Sequence, residues 1–259
     1  MNIDIVYLDM MYHLKKELIP YKTNLIKYRL GDEKDGSYVL CDGIESSGLY
    51  SYGSNNQIEF EKSFYEKYQK ECWVYDHTIS GISDKPDYIH FFKQGVSCQT
   101  THELDTIDNQ VAQNGHTGKC QNMFAQIDIE GCEWDILTCS NEIKDFAQVL
   151  IEFHMWNPKF VLDNFNKILN TFKFMNKYFV CVHIHGNNSP AIAPWLDINL
   201  PSILECTYVR KDLISLKEID TQEYPTNLDF KNNKSRPDMP LNWWLDKSPP
   251  YICKYSLNC

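Results

Sequence analysis

The chain has 259 residues, of which 43% are hydrophobic and 23% charged, a composition typical of a globular protein with a substantial core rather than of a disordered chain. Its formal net charge is −10, and Lys and Arg form no clustered stripe, which argues against a nucleic-acid polymer as partner. No run of about 18 apolar residues occurs, so we expect no membrane span.

The N-terminus and the cysteines indicate the cellular compartment. Asp4 and Asp9 interrupt the first apolar residues, so the start of the chain does not have the pattern of a secretory signal. The ten cysteines form no Cys-x-x-Cys pair, and several stand inside apolar runs, as Cys181 does. We therefore expect a cytoplasmic protein whose cysteines are reduced thiols, with a structural zinc site as the alternative.

The predicted elements begin with an N-terminal helical or lid segment, residues 1–45. Residues 1–28 of this segment are expected to form one or two helices with a loop at Pro20. Residues 46–220 form the core, and residues 221–259, which are rich in proline, form an irregular tail.

Seven short apolar runs in the core are typical of strands buried on both faces of a sheet. They are Gly48–Tyr52, Cys72–Tyr75, Ile89–Phe92, Phe124–Ile129, Val149–Phe153, Phe179–His185 and Ile203–Val209. Three amphipathic stretches between them predict helices, at Gln57–Gln69, Thr101–Gln113 and Pro158–Asn176. The alternation predicts one α/β domain over residues 1–259, with a doubly wound, mainly parallel sheet and helices on both faces.

The first two strands end in residues that suit a nucleoside-type cofactor. Ligands of open α/β sheets bind at the carboxyl ends of the strands. Gly53 follows the first strand and permits close approach of the backbone to a ligand. Asp76 ends the second strand, about 20 residues further on, where a carboxylate can accept hydrogen bonds from ribose hydroxyls. An ordinary turn and a helix cap are the alternatives, and the absence of G-x-G-x-x-G argues against a dinucleotide.

Carboxylates crowd the end of the fourth strand. Asp128 and Glu130 are expected to share one face of an extended chain, whereas Glu133 is explained by the start of the next helix. Burying two like charges side by side is costly without a cation or hydrogen-bond donors. This strand end is therefore the strongest candidate for an active site.

The next two strands add further carboxylates and imidazoles. Glu152 and His154 share a face of the fifth strand, and His183 and His185 lie on the sixth. Oxygen and imidazole ligands together suit Mg²⁺ or Mn²⁺, or a general base. A single histidine at such a position is more commonly a core residue, so the clustering carries the prediction.

Several ordered blocks of the sequence carry a family resemblance. Ile127-Asp128-Ile129-Glu130-Gly131-Cys132-Glu133 is similar to the I-D-[IV]-E-G-[AC]-E signature of the FkbM-like S-adenosylmethionine-dependent methyltransferases. The other blocks that resemble the branch of this family acting on sugars are Arg29-Leu30-Gly31, Asp35-Gly36-Ser37-Tyr38-Val39, Tyr50-Ser51-Tyr52-Gly53, Tyr75-Asp76-His77-Thr78, Leu150-Ile151-Glu152-Phe153-His154, His183-Ile184-His185-Gly186-Asn187-Asn188 and Leu204-Glu205-Cys206-Thr207-Tyr208-Val209-Arg210.

The resemblance implies a class I methyltransferase fold of Rossmann-like type, with seven strands of which the last is antiparallel. It implies that the Gly53 loop lines the methionine part of S-adenosylmethionine, that Asp76 holds the ribose, and that Gly95 and Val96 lie by the adenine. The full set of cofactor-binding residues implied in this way is Tyr52, Gly53, Ser54, Asn55, Asp76, His77, Gly95, Val96 and Asp128.

The resemblance also implies methyl transfer to a hydroxyl of a sugar or sugar nucleotide, such as a precursor of a surface polysaccharide. A sugar hydroxyl needs a base or a Lewis-acid metal. We predict Asp128, His154 and His185 as catalytic residues, and Asp128, Glu152 and His154 as ligands of Mn²⁺ or Mg²⁺.

Four points stay open. The acceptor could be a non-sugar molecule, such as a phosphate-type oxygen, a lipid or a protein side chain, or the chain could be a cofactor-binding module without catalysis. Four tryptophans could stack on a sugar or a base, or could simply pack: Trp156, Trp195, Trp243 and Trp244. The sequence also leaves open a homodimer.

Overall fold

The computed structural model describes residues 3–155, 157–189, 201–215 and 218–241. Helix α1 (Ile3–Glu17) is followed by an antiparallel hairpin of β1 (Lys27–Leu30) and β2 (Tyr38–Cys41). The alternative of a second N-terminal helix is therefore wrong. Residues 18–26, between α1 and β1, contain no helix, and Gly31 and Gly36 take φ values of +97° and +76° in the hairpin connection.

Seven strands form the central sheet, and their positions follow the apolar runs of the sequence closely. They are β3 (Gly48–Tyr52), β4 (Cys72–Tyr75), β5 (Ile89–Phe92), β8 (Met123–Ile127), β9 (Gln148–His154), β10 (Phe179–Gly186) and β11 (Ile203–Arg210). Two short strands, β6 (Gly95–Val96) and β7 (Leu104–Asp105), pair in parallel beside the sheet.

The order of the strands in the sheet is β5-β4-β3-β8-β9-β11-β10. Strand β11 is antiparallel to both of its neighbours, and the pairs from β5 to β9 are all parallel. The prediction of a mainly parallel seven-stranded sheet whose last strand is antiparallel is confirmed. The order reverses between β3 and β8, and such a switch point opens a crevice at the carboxyl ends of the strands.

Four further helices pack on the sheet. They are α2 (Glu59–Tyr68), α3 (Ile107–Gln113), α4 (Glu133–Cys139) and α5 (Pro158–Tyr178). Helix α3 is shorter than the predicted Thr101–Gln113, because Leu104 and Asp105 pair with β6 and the side chain of Thr106 caps the helix by accepting from the Asn109 amide.

Both faces of the sheet are covered, as predicted. One hydrophobic cluster joins the sheet to α1, α3, α4 and α5, and the other joins it to α2 and the β1–β2 hairpin. Strand β9 shows the result most clearly, since every residue from Gln148 to His154 is buried. Continuous apolar runs predicted these strands well because both faces of each strand face packed elements.

The tail contains no helix or strand between residues 221 and 241, the part of it that the structure describes. All four tryptophans considered for stacking lie outside the described residues: Trp156, Trp195, Trp243 and Trp244. Within the described ranges no helix is long and apolar enough to cross a membrane.

The prediction that the cysteines are reduced thiols is wrong for one pair. Cys98 and Cys139 form a disulfide, with their Cα atoms 5.6 Å apart. Their separation of 41 residues concealed the pairing, because only the fold brings the loop after β6 to the end of α4. The free cysteines of the described part are Cys41, Cys72, Cys120, Cys132, Cys181 and Cys206. Cys253 and Cys259 lie outside it.

Candidate functional site

A cavity of about 710 Å³ lies at the carboxyl ends of β3, β4, β8 and β9. Most of the residues predicted for the site line it together, although they come from five separate segments of the chain. These residues are Gly53, Ser54, Asn55, Asp76, His77, Gly95, Val96, Asp128, Glu152 and His154. Tyr52 and His185 do not line the cavity.

The loop after β3 reaches the cavity with its backbone. Gly53 has φ +86°, and a Cβ atom there would lie 1.7 Å from the carbonyl oxygen of Asp128. Its amide donates to the carbonyl of Tyr75 at 2.9 Å, and the Asp128 amide donates to the carbonyl of Tyr52 at 2.9 Å. Only glycine fits between these two strand ends, so the backbone itself forms the wall of the cavity.

The carboxylate of Asp76 holds the loop in place. Its Oδ2 accepts from the Asn55 amide at 2.8 Å, and its Oδ1 accepts from the amide and hydroxyl of Thr78 at 2.8 and 2.6 Å. A carboxylate has about four lone-pair sites, so Asp76 can still accept a hydrogen bond from a ligand. Asp76 thus both orders the loop and presents an acceptor to the cavity.

Gly95 and His77 form a second close contact in the cavity wall. A Cβ atom on Gly95 would lie 2.5 Å from Nδ1 of His77 and 2.6 Å from the side chain of Leu104. The space at Gly95 and Val96 therefore depends on the missing side chain, as it does at Gly53.

Tyr52 contributes to the site through its backbone and not through its side chain. Its ring is fully buried and stacks on Tyr75, with the ring centroids 5.5 Å apart. Its contribution to the site is the backbone carbonyl that accepts from Asp128, while its side chain belongs to the core.

His154 occupies the centre of the carboxylate cluster at the end of β9. Its Nδ1 lies 2.8 Å from Oε1 of Glu133, a residue that is fully buried on α4. Its Nε2 lies 3.4 Å from Glu130 and 3.9 Å from Asp128 and from Glu152. The contact with Glu133 orients the imidazole ring so that Nδ1 faces Glu133 and Nε2 faces the other carboxylates.

The electrostatics of this cluster favour protonated groups. Burial and the neighbouring Glu152 carboxylate raise the pKa of Asp128 well above its usual value. Burial and the nearby Glu205 raise the pKa of Glu152 to about 7. Burial lowers the pKa of His154, but its hydrogen bond to Glu133 and the adjacent carboxylates outweigh burial, so its pKa is raised. A bound cation would relieve this repulsion.

Glu130 joins the cluster by a different route from the one predicted. Strand β8 ends at Ile127, and Glu130 has φ +56°, so the chain turns here and the expected extended conformation is wrong. Oε1 of Glu133 accepts from the amides of Ile129 and Gly131, at 3.3 and 3.1 Å, and stabilises this turn. The turn brings Glu130 back over His154.

Among the described residues, two groups have the ligand spacing of a cation site. The ligand atoms of Asp128, Glu130 and His154 all lie within 4.8 Å of one another, and so do those of Asp35, Glu152 and Glu205. The predicted ligand Glu152 belongs to the second group, and its Oε2 lies 3.9 Å from Nε2 of His154 in the first.

His185 lies away from the cavity and pairs with the tail. Its Nδ1 is 2.8 Å from Glu205, and its Nε2 is 3.2 Å from Asp238. Burial lowers its pKa, but the two carboxylates outweigh burial and raise it to about 10. A histidine that is already protonated at neutral pH cannot act as a base.

His183 is buried beside the tail as well. Its Nε2 is 2.8 Å from Asp229. The two histidines of β10 therefore connect the sheet to the tail and do not reach the cavity.

Sequence reasoning missed the polar residues that connect the cluster. Asn187 donates to Glu152 at 2.7 Å and to Asp35 at 3.2 Å, and Asn232 of the tail donates to Asp35 at 2.7 Å and to Glu205 at 2.6 Å. The signal for Asn187 was its place directly after β10, at the same sheet edge. Asn232 had no signal, because it lies in a segment without periodicity.

Comparisons with known proteins add little to this site. No protein-family model and no curated protein sequence matches the chain. Among solved structures, precorrin-6y C5,15-methyltransferase from Geobacter metallireducens GS-15 is 7% identical, with a TM-score of 0.31 over 64% of this chain and 82% of that one. A protein assigned to riboflavin biosynthesis from Shewanella sp. PV-4 is 12% identical, with a TM-score of 0.24 over 64% of this chain and 75% of that one. Similarity at this level supports no conclusion about function.

Proposed function

We propose that the protein is an S-adenosylmethionine-dependent O-methyltransferase that acts on a hydroxyl of a sugar or sugar nucleotide. The observation that carries the proposal is the cavity at the sheet's switch point. There the bare backbone of Gly53, the carboxylate of Asp76 and the carboxylates around His154 meet. The resemblance of the sequence blocks to the FkbM-like methyltransferases supports the same reading.

One end of the cavity suits the cofactor. The Gly53 loop leaves room for the methionine part, Asp76 can accept from the ribose, and the space at Gly95 and Val96 suits the adenine. With the cofactor in this position, its methyl group would point toward Asp128, the next residue along the wall.

The other end of the cavity suits a hydroxyl acceptor. The methyl of a sulfonium is already activated, so the protein has to align the acceptor oxygen and remove its proton. Nε2 of His154 is the base that fits this step, since Glu133 fixes the opposite nitrogen at 2.8 Å. Asp128 and Glu130 lie beside that nitrogen and can orient the hydroxyl.

The cluster also fits a divalent cation such as Mn²⁺ or Mg²⁺. Oδ1 of Asp128 is buried and has no hydrogen-bond partner among the described residues, and carboxylate with imidazole is a donor set that these ions accept. Asp128 and Nε2 of His154 would hold the ion, together with Glu130 or Glu152, and a nitrogen bound to the ion would not also act as the base. When bound, the ion would lower the pKa of a coordinated hydroxyl.

The charge of the cavity distinguishes the two acceptor classes. Eight carboxylate residues line it, which favours a neutral sugar over a diphosphate in the absence of a cation: Asp35, Glu59, Glu61, Asp76, Asp128, Glu130, Asp135 and Glu152. A sugar nucleotide would need the cation at Asp128 to offset this charge. Methyl transfer should therefore depend more strongly on Mn²⁺ when the acceptor is a sugar nucleotide than when it is a free sugar. A phosphate-type acceptor is disfavoured on the same ground.

The test is transfer of a labelled methyl group to a panel of sugars and sugar nucleotides, with EDTA or with added Mn²⁺. Transfer to a hydroxyl that is lost on His154→Ala supports the proposal. If EDTA leaves the activity unchanged and the protein binds no Mn²⁺, the role proposed for a metal is wrong, and His154 as the base is the part of the proposal that stands. Cofactor binding without transfer to any acceptor, protein or lipid would favour a non-catalytic module.

A further inference from the structure

A further buried carboxyl group lines the cavity, outside the cluster around His154. Glu61 lies on α2, is only 2% exposed, and lines the cavity. Its Oε2 has no hydrogen-bond partner among the residues that the structure describes. An orphaned buried carboxyl oxygen is costly, so its retention beside a ligand cavity points to a ligand that donates to it.

The other oxygen of Glu61 is held by the strand that carries the cofactor loop. Oγ of Ser51 lies 2.5 Å from Oε1 of Glu61 and 2.8 Å from Oε1 of Gln126. Ser51 stands two residues before Gly53, so this contact fixes the Glu61 carboxyl under the start of the loop. The free oxygen is therefore directed to a defined place rather than being mobile.

A ligand with a cationic hydrogen-bond donor would complement the Glu61 carboxylate. Burial raises the pKa of Glu61 to about 7, and no Lys or Arg is among the described residues that line the cavity. A ligand ammonium would satisfy the orphaned oxygen and stabilise the ionised carboxylate together.

A hydrogen-bond donor of the loop complements this acceptor. Ser54 is 7% exposed, lines the same cavity, and its Oγ also lacks a partner among the described residues. A carboxyl and a hydroxyl that line the same cavity match the two ends of a free amino acid group, which carries one ammonium and one carboxylate.

We infer that Glu61 and Ser54 form the subsite for the amino acid end of the cofactor, with Glu61 accepting from the α-ammonium and Ser54 donating to the α-carboxylate. This inference rests on the proposed function, and it assigns to Glu61 a role in binding the cofactor. Asp76 and the Gly95 region would then contact only the adenosine part.

The test separates the two ends of the ligand. Binding of S-adenosylhomocysteine and of 5′-methylthioadenosine, which lacks the amino acid group, is measured by calorimetry on the wild type and on Glu61→Gln. Glu66→Gln, an exposed change on the same helix, is the matched control. A charge-assisted hydrogen bond corresponds to about a 10- to 100-fold loss of affinity when the charge is removed.

The expected result is that Glu61→Gln weakens S-adenosylhomocysteine by this factor and leaves 5′-methylthioadenosine unchanged, while Glu66→Gln changes neither. Unchanged binding of 5′-methylthioadenosine also shows that the variant is folded. Equal losses for both ligands, or no loss for either, would overturn the subsite and leave the proposed function standing. A wild type that binds neither ligand would overturn both.

Discussion

The two ends of the cavity are built in different ways. At the Gly53 end, backbone atoms and one well-bonded carboxylate form the wall, and close packing fixes its shape. At the His154 end, carboxylates lie within 3.9 Å of one imidazole and burial raises the pKa values of Asp128 and Glu152. The protein alone fixes the shape of the first end, whereas a substrate or cation has to balance the charge of the second end. The first end is therefore suited to binding a ligand of fixed shape, and the second to a reaction in which charge changes.

The largest effect is expected from the histidine at the charged end. His154→Ala should reduce the turnover number by about 100- to 10,000-fold, the usual range for loss of a general base, with little change in cofactor affinity. Single-turnover kinetics and calorimetry measure the two quantities. His185→Gln is the matched control, because His185 lies outside the cavity, and it should keep most of the activity of the folded protein. The opposite ranking of the two variants would place the base on β10.

The next largest effect is expected from removal of the disulfide, which stabilises the part of the fold that lines the Gly53 end of the cavity. Cys98 lines the cavity and is joined to Cys139 at the end of α4, closing 41 residues. A loop of this length corresponds to about 4 kcal/mol of unfolding free energy in the chain-entropy account. Denaturant unfolding of Cys98→Ser, and of the wild type with dithiothreitol, should both show this loss.

Cys132→Ser provides the control for the disulfide, since Cys132 is free and exposed at the start of the same helix. Its unfolding free energy should match that of the wild type. Free thiols at Cys98 and Cys139 in the native, non-reduced protein would contradict the pairing.

A smaller effect is expected from pH, and it concerns the tail beside the charged end. The pKa of His185 is about 10 in the folded protein, against the ordinary 6.5, because Glu205 and Asp238 outweigh burial. The stabilisation is therefore fully present below about pH 6.5 and is lost as pH rises toward 10. The melting temperature of the wild type should fall between pH 7 and pH 10. In His185→Gln this part of the fall should be absent, and equal slopes would contradict the ion pairs.

The strands could be read from the sequence because each is buried on both faces. Gly48–Tyr52, Cys72–Tyr75 and Ile89–Phe92 have the predicted bounds. The Gly53 loop and Asp76 followed from their place at strand ends, which any parallel sheet brings to one edge.

The contacts around the cluster could not be read in this way. Glu133 pairs with His154 across 21 positions of the chain, and the positive φ of Glu130 has no sequence signal because the residue is not glycine. The cysteine pairing depends on the tertiary fold. For Glu61 a signal existed, since it stands between Ile58 and Phe64 on the apolar stripe of its helix, where burial of a carboxylate is costly unless it has a partner.

The measurement that tests the account most directly is calorimetric binding of S-adenosylhomocysteine to the wild type, Gly53→Ala and Gly115→Ala. Both glycines have positive φ, +86° and +72°, but an added Cβ meets the Asp128 carbonyl only at Gly53, and nothing within 4 Å at Gly115. The wild type and Gly115→Ala are expected to bind the ligand, whereas Gly53→Ala should lose at least about tenfold in affinity, equal to about 1.4 kcal/mol. A wild type that does not bind, or a Gly53→Ala variant that binds equally well, would contradict it.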